Sequence, residues 1–132
     1  MAGEQTEPAW IDNRVALAVH DRQLAEHGGG QGVRDPGALE SALARPRNRW
    51  SYGETDLCRL AAAYAFGIAR NHPFVDGNKR SAWVLARSFL ILNDRELAYA
   101  REDAVLIVER LAAGDLPEDE LADWFRERIA PR

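Results

Sequence analysis

A chain of 132 residues supports one domain with one hydrophobic core. With 46% hydrophobic and 29% charged residues it does not read as a disordered chain, and a formal net charge of -4 argues against wholesale nucleic-acid binding. Its single cysteine, Cys58, excludes an intrachain disulfide framework.

The opening MAGEQTEPAW lacks the apolar core of a signal peptide. The longest apolar run, Leu60 to Ala69, falls short of the ~20 residues that cross a bilayer. Residues 1–9 are therefore read as a flexible N-terminus, the protein as cytoplasmic with no membrane partner, and residues 1–132 as a single domain.

Period-3.6 patterning dominates nearly the whole chain. Asp12 caps a first predicted helix reaching about His27, with Ile11, Val15, Ala18 and Val19 on one face; Gly28-Gly29-Gly30 ends it. Asp35-Pro36 opens a second, expected to stop at Pro46. The third runs from about Asp56 to Asn71 and is apolar on almost every side, which marks a buried central helix. The fourth spans about Asn78 to Asn93, with Ala82, Leu85, Ala86, Phe89 and Leu92 inward. Leu97 and Tyr99 suggest a short extended piece. Two more helices come after it, one through Val105, Val108 and Leu111, the other through Leu121, Trp124, Phe125 and Ile129. The expected fold is an all-α bundle of about six helices with a short extended flap.

Chemistry concentrates between the third and fourth helices, in ARNHPFVDGNKRS. His72 precedes Pro73, which disfavours the helical region at His72 and ends the third helix. Phe74 would anchor the loop in the core, and Gly77 permits a positive φ or a ligand's close approach. The first turn of the fourth helix offers unpaired N–H groups and a positive dipole end to an anion. Lys79 and Arg80 sit in that turn, where a cation costs about 0.3–1 kcal/mol unless an anion is bound. Asp76 suits Mg²⁺, which takes one or two carboxylates plus phosphate oxygens. His72 can accept a proton from a hydroxyl near neutral pH. Cation, metal and base are the parts of phosphoryl transfer.

These residues carry a family resemblance. HPFVDGNKR resembles the signature loop of the Fic/Doc superfamily, His-Pro-Phe-x-[Asp/Glu]-Gly-Asn-[Gly/Lys]-Arg, and GGGQGVRDPGALESALARP and GDLPEDELADWF are similar to death-on-curing (Doc) toxins. Fic adenylyltransferases usually have glycine where this chain has Lys79. The lysine implies a nucleotide bound in reverse, with its γ-phosphate presented to a protein hydroxyl. The resemblance implies a kinase acting with ATP and Mg²⁺ on elongation factor Tu, restrained in trans by a cognate antitoxin, with no direct nucleic-acid partner.

By the same resemblance, His72 is the general base and Asp76 the metal ligand. Lys79 and Arg80 join them in the catalytic set. Arg70, Phe74, Gly77, Asn78, Lys79 and Arg80 form the cofactor-binding set, with Arg70 as an added phosphate clamp. Pro73 and Gly77 lie nearer the general Fic pattern than some Doc members, which keeps adenylylation as the alternative activity. A catalytically silent protein-binding module is the alternative of another class.

The segment RPRNRWSYGET, Arg45 to Thr55, admits three readings: a docking flap for a protein target, a plain loop, or a nucleic-acid patch. His20 and His27 lack further ligands nearby and are read as structural or solvated.

Overall fold

The computed structural model describes residues 6–132. Six helices run α1 (Asn13–His27), α2 (Pro36–Ser51), α3 (Leu57–Asn71), α4 (Asn78–Leu92), α5 (Arg101–Ala113) and α6 (Glu118–Arg126). Two three-residue strands, β1 (Arg95–Leu97) and β2 (Ile129–Pro131), pair antiparallel with Glu96 opposite Ala130. The all-α bundle read from the sequence is the fold observed.

Local chemistry sets the first three helix starts. Asp12, Asp35 and Asp56 each sit at an N-cap and accept the N–H of Val15, Ala38 and Cys58. From Leu60 to Ile68 every residue of α3 is buried. It packs against α2, α4, α5 and α6, so its all-round apolar surface has a neighbour on each side. The Tyr64 hydroxyl accepts the Ile11 N–H at 2.9 Å, a long-range bond that fastens the chain entering α1 to this central helix.

Four local expectations are corrected. Pro46 does not end α2; it is buried mid-helix and the helix continues to Ser51. Proline cannot donate to the carbonyl four residues back, which is that of Ala42. That stretch of backbone instead lies against α3 at Gly67, where an added Cβ would come within 3.0 Å of the Ala42 Cα and carbonyl oxygen. The close helix–helix contact and the Arg45 and Arg49 ion pairs to Glu118 support the continued turns. Most of the segment expected as flap or loop, Arg45 to Thr55, is thus the end of α2, and only Tyr52 onward leaves the helix.

Ile129 belongs to β2 rather than to the last helix. Ala98 N–H to Arg128 O at 2.9 Å and Arg132 N–H to Asp94 O at 3.0 Å hold that strand to β1. The inward face of α1 is Ala16, His20 and Gln23, with Val15 and Ala18 exposed; on α4, Leu90 is buried and Leu92 exposed; on α5, Ala104 and Ile107 are buried and Val105 exposed. These rotations follow from which neighbour each helix meets, which periodicity alone does not specify.

Of the start read as flexible, residues 1–5 lie outside the described residues. Pro8 is buried, and Ala9 is held at both its N–H and its carbonyl by the Asn93 amide, at 2.8 and 3.0 Å.

Candidate active site at the amino end of α4

The loop joining α3 to α4 is built by backbone contacts from two distant segments. His72 caps α3 in the left-handed region (φ 47°, ψ 56°), with its N–H on Ile68 O at 3.2 Å. A non-glycine residue there costs roughly 1–2 kcal/mol. Arg34 holds the turn: its Nε donates to His72 O at 2.8 Å and an Nη to Asn71 O at 3.1 Å. The Arg34 and Asp35 N–H groups both reach Pro73 O, at 2.7 and 3.1 Å. Val33 pairs with Phe74 as an isolated antiparallel bridge, and Val75 N–H reaches Gly32 O at 3.1 Å. The chain between α1 and α2 therefore acts as a splint along the loop.

The other support is α1. His20, 1% exposed, stacks on Phe74 with ring centroids 3.8 Å apart and planes 7° apart. Its Nε2 lies 2.8 Å from the Asp76 carbonyl oxygen. The Asp76 carboxylate accepts from Gly77 N at 2.7 Å through Oδ1 and from Gly30 N at 3.4 Å through Oδ2. Gly29 has φ 124°, a conformation that favours glycine, and a Cβ there would fall 2.7 Å from Asp76 Oδ2 and push that carboxylate aside.

α4 opens differently from the helices before it. Its N-cap is Gly77 in the left-handed region (φ 74°), with no side-chain cap; like α1, α2 and α3 it has no acidic residue in its first turn. The anion-favouring end of the helix is left to Lys79 and Arg80, and among the described residues neither makes an ion pair. A cleft of about 280 Å³ lies here, and His72, Asp76, Gly77, Asn78, Lys79 and Arg80 all line it. Ala69 of α3 and Ala112 of α5 complete its wall with Val75. The His72 imidazole is exposed and carries no side-chain hydrogen bond among the described residues.

Three residues of the expected cofactor-binding set make contacts within the protein itself. Phe74 is 1% exposed and stacked on His20, so it anchors the loop and offers no face to a ligand. Asn78 spends its amide on the loop: Oδ1 accepts Phe74 N–H and Nδ2 donates to Phe74 O, each at 3.0 Å. Arg70 is not among the residues lining the cleft that holds His72. One position along α3 from Ala69, it turns toward α2, its Cζ 5.0 Å above the Phe66 ring. There it lines a second cleft of about 730 Å³ with Arg45, Arg49 and Tyr52. Arg45 and Arg49 in that cleft share Glu118, while Tyr52 is 93% exposed.

Residues 10–90 match the Fic/DOC family, more than half of the chain. The chain belongs to the Fic/DOC family. Within it, the chain is 37% identical over 117 residues to the protein kinase doc of Escherichia phage P1, covering 88% of this chain and 92% of that relative. It is 41% identical over 100 residues to Toxin Doc of Mycolicibacterium smegmatis, covering 72% and 76% respectively. Both relatives are Doc proteins, the branch of the Fic/DOC family that the sequence resembles.

Sequence reasoning missed His20, Gly29, Gly30 and Arg34 as supports of this candidate site. His20 did carry a signal, an imidazole on an otherwise apolar stretch of α1, but it identified no partner. Of the two histidines read as structural or solvated, His20 is buried and His27 is exposed.

Proposed function

We propose that this Fic/DOC protein is a Doc-type toxin that transfers the γ-phosphoryl group of ATP to a hydroxyl of a translation factor, elongation factor Tu, and so arrests growth. The observation that carries the reading is Lys79 and Arg80 at the uncapped start of α4, in the same cleft as His72 and Asp76. The phage relative's name, protein kinase, supports phosphoryl transfer over adenylyl transfer.

In this reading the phosphate chain lies across the first-turn N–H groups of α4, with Lys79 and Arg80 as counter-charges. The exposed His72 imidazole accepts the proton of the attacking hydroxyl. The new bond forms between that oxygen and the γ-phosphorus, and ADP leaves with the electron pair of the broken bond. Asp76 would hold Mg²⁺: it is an exposed carboxylate beside the phosphate site, and a single protein carboxylate suits an ion that completes its shell with phosphate oxygens and water. Bound there, the ion would neutralise charge developing on the phosphates. Among the described residues no cluster of three His, Cys, Asp or Glu side chains could hold a metal alone, which fits a metal that arrives with its nucleotide.

The second cleft, with Arg45, Arg49 and Tyr52 at the end of α2, is the docking surface for the protein target. A cognate antitoxin restrains the toxin in trans. The place of action is the cytoplasm; no described helix is long and apolar enough to cross a membrane.

The test is intact-mass analysis of elongation factor Tu after incubation with the protein, ATP and Mg²⁺. One added phosphoryl mass supports the reading; an added AMP mass assigns the adenylyltransferase activity instead. Replacing His72 with Ala should slow modification at least ~10²-fold, the usual share of a general base. Undiminished growth arrest by His72→Ala would point to a binding module without catalysis.

A further inference from the structure

His20 does not itself line the proposed ligand cleft, yet it meets the loop at three residues, two of which, Asp76 and Gly77, do. Its ring lies flat on Phe74, and its Nε2 is 2.8 Å from the carbonyl oxygen of Asp76. A Cβ on Gly77 would rest 3.9 Å from its Cδ2 and Nε2, so the N-cap of α4 lies directly against the imidazole edge. A carbonyl oxygen only accepts, so the proton of this bond resides on Nε2. The residue is 56 positions away in sequence and 1% exposed. Phe74 is held at both backbone ends by Asn78, so the ring that His20 stacks on is itself fixed.

The peptide between Asp76 and Gly77 carries both the carbonyl held by His20 and the Gly77 N–H that donates to Asp76 Oδ1. Pinning the carbonyl sets the plane of that peptide, because the amide is rigid. The plane sets where the N–H points, and the N–H orients the carboxylate. Gly30 N–H approaches the other carboxylate oxygen from the segment just beyond the same helix. α1 and its glycine tail thus fix Asp76 at main chain and side chain.

We propose that His20 is a positioning residue whose Nε2–H, acting through the Asp76–Gly77 peptide, aims the Asp76 carboxylate at the metal of a bound metal–nucleotide complex. The proposal rests on the reading of Asp76 as the Mg²⁺ ligand. Outer groups that orient a metal ligand typically change metal affinity 10–100-fold when removed.

The experiment compares wild type, His20→Phe and His20→Gln. Phenylalanine keeps a ring over Phe74 without a donor; glutamine keeps a donor without the ring. Calorimetry measures ATP affinity with and without Mg²⁺, and thermal melting reports the fold. The expected result is a ~10-fold rise in the Mg²⁺ concentration giving half-maximal enhancement for His20→Phe. Metal-free ATP affinity should stay at the wild-type value, and His20→Gln should recover most of the loss. Equal losses in both variants, or metal-free and metal-bound affinities falling together, would overturn the proposal by assigning His20 to packing alone. If His20→Phe does not fold, long-range ¹⁵N NMR of the wild type decides: a proton resident on Nε2, protected from solvent exchange, is required. A mobile or Nδ1-protonated ring overturns the proposal. Absence of any Mg²⁺ effect in wild type would instead sink the functional reading while leaving the NMR result to judge the His20–Asp76 bond.

Discussion

Asn78 closes the α3–α4 loop on itself, its side-chain oxygen accepting the Phe74 N–H and its nitrogen donating to the Phe74 carbonyl, both at 3.0 Å. One amide thereby satisfies both backbone groups of a residue whose ring is buried. At about 0.5–1.5 kcal/mol per bond, Asn78→Ala should lower stability by about 1–3 kcal/mol in urea denaturation. The same variant should weaken nucleotide binding because the loop loses its internal brace. Wild-type stability and affinity together would show that the brace is dispensable.

Gly67 marks the closest approach of α3 to α2. A methyl group there would press on the Ala42 backbone at 3.0 Å, and backbone yields less readily than a side-chain end. Gly67→Ala is expected to destabilise by about 1–3 kcal/mol despite the better helix propensity of alanine. A variant at least as stable as wild type would mean that α2 slides freely over α3.

Arg70 and Arg80 separate the two clefts. Arg80→Ala should reduce ATP affinity about tenfold or more, the scale of one lost hydrogen bond from a charged donor. Arg70→Ala should leave ATP affinity within about twofold while slowing modification of the protein target, because Arg70 lines the neighbouring cleft. Comparable losses of ATP affinity in the two variants would mean that a nucleotide spans both clefts.

Asp56 links stability to pH. Burial raises its pKa, but the Arg126 guanidinium and the Cys58 N–H outweigh that and leave the carboxyl below its ordinary range. The unfolded chain then binds the proton more readily than the native one. The Asp56 contribution is therefore fully present above the ordinary aspartate pKa of about 3.9 and is lost as pH falls through the lowered native value. Asp56→Asn should flatten the acid limb of a stability–pH curve; an unchanged limb would remove Asp56 from the account.

Cys58 reports on α3. Burial pushes its thiol up to about 11, with Asp56 nearby adding to the rise. Alkylation at pH 8 should be slow in the folded protein and fast in denaturant, since the thiolate is the reactive form. Rapid native labelling would show that the start of α3 opens readily.

Most of the loop's chemistry was legible as residue types. His72-Pro73 ends a helix, Gly77 starts another, and Lys79-Arg80 stand where cations are costly; each is a rule acting within one turn. The Asp12 and Asp35 caps and the apolar surround of α3 were legible for the same reason, whereas Asp56 was read as a helix start and not as a cap. Which cleft Arg70 lines was not legible because a step of one residue on a helix turns a side chain by about 100°, and sequence does not say which neighbour waits there. Pro46 was misread because its helix-breaking tendency is local, whereas the Ala42–Gly67 contact and Glu118 that sustain the helix come from elsewhere in the chain.

Sequence alone determined the fold class, the caps Asp12 and Asp35, the buried central helix and the run of imidazole, carboxylate and cations leading into α4. Tertiary structure decided that His20 lies beneath that cluster, that Arg34 splints it, and that Arg70 faces another cleft. The division follows sequence separation. Capping and periodicity act between residues a few positions apart, whereas the hydrogen bonds that reach Asp76 from Gly30 and His20 come from groups 46 and 56 residues away, brought near only when α1 packs on α4.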